Sequence, residues 1–201
     1  MILITGSRGF IGQHLAGILG EVRHVNRRDG FELSNIPNDY FADVDTVHHL
    51  AGYIGNDEKA HIETNIVGTI NLLEMVRRHD VSNFVFSSSA AVYGQPVFLP
   101  IDEAHPTNPV TLYGKYKLET ERIVMDFGEK YGINWTILRI FNVYGKNDVR
   151  SVISKFLSDA VNKKMIVVNG SGNQTRDFID VKDVASAFIL LTGERGIFNI
   201  G

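Results

Sequence analysis

Short apolar runs rich in β-branched and aromatic residues alternate along the chain with longer segments in which apolar positions recur every three or four residues. That alternation predicts a parallel sheet covered by helices. Strands are expected at Ile2–Ile4, Val22–Asn26, Thr46–Leu50, Asn83–Ser87, Trp135–Arg139, Met165–Val168 and Gly196–Ile200. Helical patterns cover Phe10–Leu19, Asp57–His79, Thr111–Tyr131, Arg150–Asn162 and Val181–Thr192. Some strands are apolar on consecutive positions, as in Asn83-Phe84-Val85-Phe86, which fits burial on both faces. The expected class is α/β, a Rossmann-type doubly wound parallel sheet. Residues 1–145 form its dinucleotide-binding core. Residues 146–201 hold a short, incomplete substrate lobe and then a core helix and strand that return to the sheet. The stretch Tyr93–Val110 carries four of the five prolines and little periodicity, so it reads as a loop beyond the carboxyl end of a strand. Ligands of open α/β sheets bind at such ends.

Composition narrows the function. With 44% apolar and 21% charged residues, the chain has the balance of a globular protein. No apolar run approaches the ~20 residues of a membrane-spanning helix, and the start carries no basic leader, so the cytoplasm is the expected compartment. The absence of cysteine excludes disulfides, thiolate metal sites and thiol nucleophiles. A net charge of −3, with both signs interspersed, gives no basic surface for nucleic acid. His48 and His49 are adjacent on a strand, point to opposite faces and cannot share a metal, so no metal is expected.

The first chemical signal is Gly6-Ser7-Arg8-Gly9-Phe10-Ile11-Gly12, set between the first strand and the first helix. In that context glycines allow a tight turn, close approach of backbone to a pyrophosphate and close helix–strand packing. The helix start then presents N–H groups to the phosphates. The second strand ends in Asn26 and continues into Arg27 and Arg28, where an NAD-preferring site usually has an acidic residue. With Arg8 these arginines favour a 2′-phosphate, hence NADP(H) over NAD, although Arg27 and Arg28 also read as a solvated pair beside Asp29. Glu32-Leu33 lies where an acidic–aliphatic pair would meet adenine.

The second signal is Tyr113-Gly-Lys-Tyr-Lys117, which sets a phenol and an ammonium on one face of a helix start. An ammonium beside a phenol, together with the positive charge of an oxidised nicotinamide, lowers its pKa, so Tyr113 would exchange a proton with a substrate hydroxyl at neutral pH. Ser89 closes the run Ser87-Ser88-Ser89 at the end of a buried strand and would hydrogen-bond the reacting oxygen.

Taken with His49-Leu-Ala-Gly52, Asn65-Ile-Val-Gly-Thr69, Ser87-Ser-Ser-Ala-Ala-Val-Tyr-Gly94, Leu138-Arg-Ile-Phe-Asn-Val-Tyr-Gly145 and Arg176-Asp-Phe-Ile-Asp-Val-Lys-Asp183, these motifs resemble the extended short-chain dehydrogenase/reductases of the nucleotide-sugar epimerase/dehydratase group. The resemblance implies Tyr113 as acid/base, Lys117 as ribose anchor and Ser89 as hydroxyl partner. It implies that Asn142 meets the sugar nucleotide and Arg176 its diphosphate. The alternatives are a strand-end cap for Asn142 and an ion pair with Asp177 for Arg176. The candidate cofactor set is Gly6, Arg8, Gly9, Phe10, Ile11, Gly12, Asn26, Arg27, Arg28, Leu33, Leu50, Ala51, Gly52, Asn65, Tyr113, Lys117 and Ile140.

Departures from the family pattern shape the expected activity. Ala90 and Ala91 stand where dehydratases carry an Asp-Glu pair, which argues against dehydration. The segment between Ala51 and Asn65 is shortened, and the family continues past the strand that ends here. The expectation is therefore a nucleotide-sugar 4-epimerase that transfers hydride transiently to a bound nicotinamide. An NADPH-dependent ketoreductase and a non-catalytic dinucleotide-binding remnant are the alternatives. Apolar positions Ile66, Ile70, Leu73 and Val76 suggest a helical face for a homodimer.

Overall fold

The computed structural model describes residues 1–201, apart from the side chain of Arg28, which lies outside the described residues. The elements are β1 (Ile2–Thr5), α1 (Phe10–Leu19), β2 (Arg23–Val25), β3 (Thr46–His49), α2 (Glu58–His61), α3 (Gly68–Arg78), β4 (Asn83–Ser89), α4 (Leu112–Tyr131), β5 (Asn134–Ile140), β6 (Asn142–Tyr144), α5 (Val152–Val161), β7 (Phe178–Asp180), α6 (Val181–Leu190) and β8 (Gly196–Ile200). Six strands form one parallel sheet in the order β2-β1-β3-β4-β5-β8. The order reverses between β1 and β3, so the crevice beyond their carboxyl ends is the natural ligand site.

Alternation along the strands feeds two apolar layers. Leu3, Val47, Phe84, Phe86 and Ile137 face α3 and α4, where they meet Leu72, Leu73, Val76 and Val124. Ile4, Val85, Leu138, Ile140 and Ile200 face α1 and α6, against Leu15, Val184, Ala185 and Phe188. Full burial of each such side chain stabilises the fold by roughly 1.5–3 kcal/mol, and the central strands β4 and β5 supply the largest share.

Three expectations need correction. Met165–Val168 forms no strand: β8 takes the sheet edge beside β5, and these apolar side chains are exposed. A separate parallel pair, β6 with β7, was missed because each strand has only three residues. The helix expected over Asp57–His79 is interrupted at Ile62–Val67 by a π-helical segment. Of the apolar stripe offered to a dimer partner, Leu73 and Val76 face the sheet, and Ile70 remains exposed.

Candidate active site

Helix α1 starts differently from its neighbours. Side chains cap α2, α4, α5 and α6 (Asp57, Thr111, Ser151 and Asp180), whereas α1 begins at Gly9 with no side-chain cap. Its first-turn N–H groups are left for an anion. The turn leading into it admits no bulk, since a Cβ on Gly12 would lie 2.3 Å from the Gly6 carbonyl oxygen. Asn26 braces the same turn: its Oδ1 accepts from the Arg8 N–H at 3.0 Å, and its Nδ2 donates to Ser7 Oγ at 2.8 Å.

A cavity of about 880 Å³ opens beyond this turn. Gly6, Arg8, Gly9, Asn26, Arg27, Leu33, Ala51 and Gly52 line it, as the sequence leads one to expect, together with Phe31, Glu32, Val67 and Arg150. A glycine cradle, an uncapped helix start and an apolar flank fit a dinucleotide.

Other members of the expected cofactor set sit behind this lining. Ile11 and Leu50 pack on the α1/α6 layer, and Ile140 is buried within it. Phe10 packs edge-on against His14. Asn65 is buried in the π-helical segment. Its Oδ1 accepts from the Tyr53 N–H at 2.7 Å, and its Nδ2 lies 2.9 Å from His61 Nδ1. It thereby fixes the Gly52–Tyr53 wall from behind, a local irregularity of the kind found at functional sites.

Arg8 and Arg27 do not stand free for a 2′-phosphate. Arg8 pairs with Asp29 at 2.5 Å, and Arg27 pairs with Glu32 at 3.0 Å. The hydrogen bond and charge of Arg8 hold the Asp29 carboxyl below its ordinary range. Asp29 and Glu32 therefore bring negative charge to the place where the sequence suggested a phosphate pocket.

At the carboxyl end of β4 the reactive groups assemble. A Cβ on Gly114 would lie 2.5 Å from the Ala91 carbonyl oxygen, so this glycine lets α4 start hard against the turn after Ser89. Ser89 Oγ accepts from the Ala91 N–H at 3.2 Å and sits close enough to the Tyr113 hydroxyl to draw the phenol's pKa down. Lys117 Nζ donates to the Ser87 carbonyl at 2.6 Å and lies 5.8 Å from the Tyr113 ring centroid. A Cβ on Gly52 would come within 3.5 Å of that ammonium, so Lys117 adjoins the cavity wall.

The electrostatics differ from expectation. Burial pushes the Tyr113 phenol up, and the Ser89 hydroxyl only partly opposes this. Burial pulls the Lys117 ammonium down to about 8, against the raising charge of Glu121. The chain's own groups thus keep Tyr113 protonated at neutral pH.

Sequence reading missed the support beneath these groups. Ser88 Oγ donates to Glu121, whose buried carboxylate pairs with Arg139 at 2.8 Å. Arg139 also donates to the Tyr93 hydroxyl at 2.9 Å, which in turn donates to Asn199 at 2.7 Å. Tyr113, Lys117 and Glu121, spaced four apart on α4, thus each contact one residue of the Ser87–Ser89 run. That spacing was the available signal.

The two substrate candidates lie further out. Asn142 is exposed and donates its side-chain amide to the Asp177 carbonyl at 2.8 Å, which stitches β6 to β7 as a strand-end amide would. Arg176 is exposed and donates to the Thr175 carbonyl at 2.7 Å; it forms no ion pair with Asp177 among the described residues. His48 and His49 point to opposite faces, one to Thr192 and the other to Thr5 and Thr69. Among the described residues no group of three His, Cys, Asp or Glu could hold a metal, and no helix is long and apolar enough to cross a membrane.

Residues 2–201 match the model of the NAD dependent epimerase/dehydratase family. The chain belongs to this family. A Methanocaldococcus jannaschii protein is 37% identical over 233 residues, covering 100% of this chain and 76% of its own length. A UDP-glucose 4-epimerase of Halalkalibacterium halodurans is 33% identical over 251 residues, covering 100% of this chain and 75% of its own. The solved structure of Thermus thermophilus UDP-glucose 4-epimerase in complex with NAD superposes with a TM-score of 0.86 at 27% identity, covering 100% of this chain and 77% of that one. The resemblance read from the motifs and the Rossmann-type fold are both borne out.

Proposed function

We propose that this family member is a UDP-sugar 4-epimerase that works with bound NAD. The observation that carries the reading is the meeting of Ser89, Tyr113 and Lys117 at the end of β4, beside a dinucleotide-sized cavity. The epimerases it resembles, one of them solved with NAD, support it. A bound nicotinamide would supply the acceptor and then the donor of hydride at the sugar carbon. Tyr113 takes the proton from the substrate hydroxyl and, after the keto-sugar has turned its other face to the cofactor, returns it to the same oxygen. Ser89 orients the reacting oxygen. Lys117 anchors the cofactor ribose and adds positive charge near the phenol. Since burial alone raises the Tyr113 pKa, the proton leaves readily only when cationic charge is brought beside the ring. Residues 146–177, with Asn142 and Arg176 at their edges, form the substrate-side segment. Ala90 and Ala91 place no carboxyl group after Ser89, which suits epimerisation better than loss of water.

The cofactor reading turns on Asp29 and Glu32. A 2′-phosphate would meet two carboxylates already holding Arg8 and Arg27, so NAD binds at least tenfold tighter than NADP, about 1.4 kcal/mol. Calorimetric titration with each cofactor measures this, and equal affinities would return the ketoreductase reading. Incubation with NAD and UDP-glucose is expected to yield the 4-epimer, observed by NMR.

Assembly as a homodimer through the exposed Ile62 and Ile70 of the α2–α3 edge completes the proposal. Light scattering is expected to return twice the chain mass of 22.4 kDa, and a monomer at micromolar concentration would remove it.

A further inference from the structure

The charges around the cavity are largely closed on themselves. Arg8 is held by Asp29, Arg27 by Glu32, and Glu63 lies 3.6 Å from Lys59. Arg150 is the exception. It lines the same cavity as Gly6, Arg8 and Gly9, and among the described residues no carboxylate lies within ion-pair distance of it.

The backbone brings it there. After β6 the chain passes through Gly145–Ser151. Asn147 Nδ2 lies 3.5 Å from Gln13 Oε1, which ties this loop to the first turns of α1, the helix whose start is uncapped. Asp148 then fixes the loop's exit. Its carboxylate accepts from the Arg150 N–H at 2.9 Å, from the Ser151 N–H at 3.1 Å and from the Ser151 hydroxyl. The carboxylate is thereby committed to the loop's own backbone, and the guanidinium next to it is left without a countercharge.

We propose that Arg150 is a phosphate clamp, pairing with the pyrophosphate of the dinucleotide across from the glycine turn. The proposal rests on the dinucleotide reading above and extends it to a residue that no motif of the sequence marks. A pyrophosphate carries two negative charges, and the glycine turn offers it only N–H donors. With Arg8 and Arg27 neutralised, Arg150 is, among the described residues lining the cavity, the cation without a carboxylate partner, and a guanidinium fork suits phosphate oxygens. Because Arg150 precedes α5 directly, the clamp also fastens the substrate-side segment to the cofactor.

Calorimetry with adenosine, ADP and NAD on the wild type and on Arg150→Gln tests this. The variant alters an exposed side chain and is expected to keep the wild-type melting temperature. It should bind ADP and NAD about tenfold or more weakly, the scale of one charge-assisted contact, with adenosine affinity unchanged. Arg150→Lys should recover part of the loss, and the salt dependence of ADP binding should be shallower in Arg150→Gln than in wild type. Equal ADP affinities in wild type and Arg150→Gln would overturn the clamp and show a merely solvated arginine. A loss that extends equally to adenosine would overturn it in favour of a packing role. Failure of the wild type to bind any of the three ligands would overturn the dinucleotide reading itself.

Discussion

Replacing Tyr113 with Phe is expected to abolish nearly all turnover while leaving the protein folded and its cofactor bound. The change removes one hydroxyl from a half-buried ring. The Ser89 hydroxyl loses that neighbour but keeps the Ala91 N–H, so the packing of α4 on the turn after β4 stays intact. What disappears is the group that moves the proton, and general acid–base contributions typically amount to about 10²–10⁴-fold. The loss should fall on kcat, with KM for the nucleotide sugar and the affinity for NAD close to wild type. Steady-state kinetics read both. Unchanged kcat would remove Tyr113 from the chemistry, whereas a joint collapse of kcat and cofactor affinity would make it a packing residue.

The second large effect is on stability. Glu121→Ala leaves the Arg139 guanidinium in the core without its countercharge, since Arg139 and Glu121 side chains are only 6% and 0% exposed. Breaking such a buried pair by removing one partner costs about 3–5 kcal/mol. Urea denaturation should show this, and the double variant Glu121→Leu with Arg139→Met should lose less than the two single changes combined. Additive losses, or a cost below about 1 kcal/mol for Glu121→Ala, would mean the pair does not act as a unit. Loss of the Glu121 charge should also lower the Lys117 pKa further from about 8, because that charge opposes the effect of burial.

The sequence carried the architecture wherever the signal was local. Alternating strands and helices, the glycine turn after β1 and the four-residue spacing of Tyr113 and Lys117 are set by backbone period and turn chemistry, and these were legible. What was not legible depends on partners distant in sequence. The run Met165–Val168 has the composition of a strand, yet pairing needs a neighbour, and β8 occupies the edge beside β5. Arg8 and Arg27 read as phosphate ligands until folding brings Asp29 and Glu32 against them. The Tyr113 phenol was expected to ionise easily because Lys117 is near. In the chain alone, burial of both groups works against that effect, raising the phenol and weakening the ammonium. Ser88 with Tyr93, Glu121, Arg139 and Asn199 come from four separate parts of the chain, and the third member of the Tyr113–Lys117–Glu121 spacing is the local signal of their meeting. Arg150 carries no motif at all; its place follows from the way Asn147 and Asp148 fold its loop over α1.

The measurement that tests the central claim most directly is the fate of a deuterium label at C4 of UDP-glucose, followed by NMR and mass spectrometry in the presence of NAD. Epimerisation by hydride removal and return, with Tyr113 moving only the hydroxyl proton, predicts that the 4-epimer forms with its C4 deuterium retained. It also predicts no net change in cofactor absorbance, and product formation by the Tyr113→Phe variant slowed by about 10²–10⁴-fold. Washout of the label into solvent, net reduction of the cofactor, or failure to form the 4-epimer from any UDP-sugar by a protein that binds NAD would contradict the account.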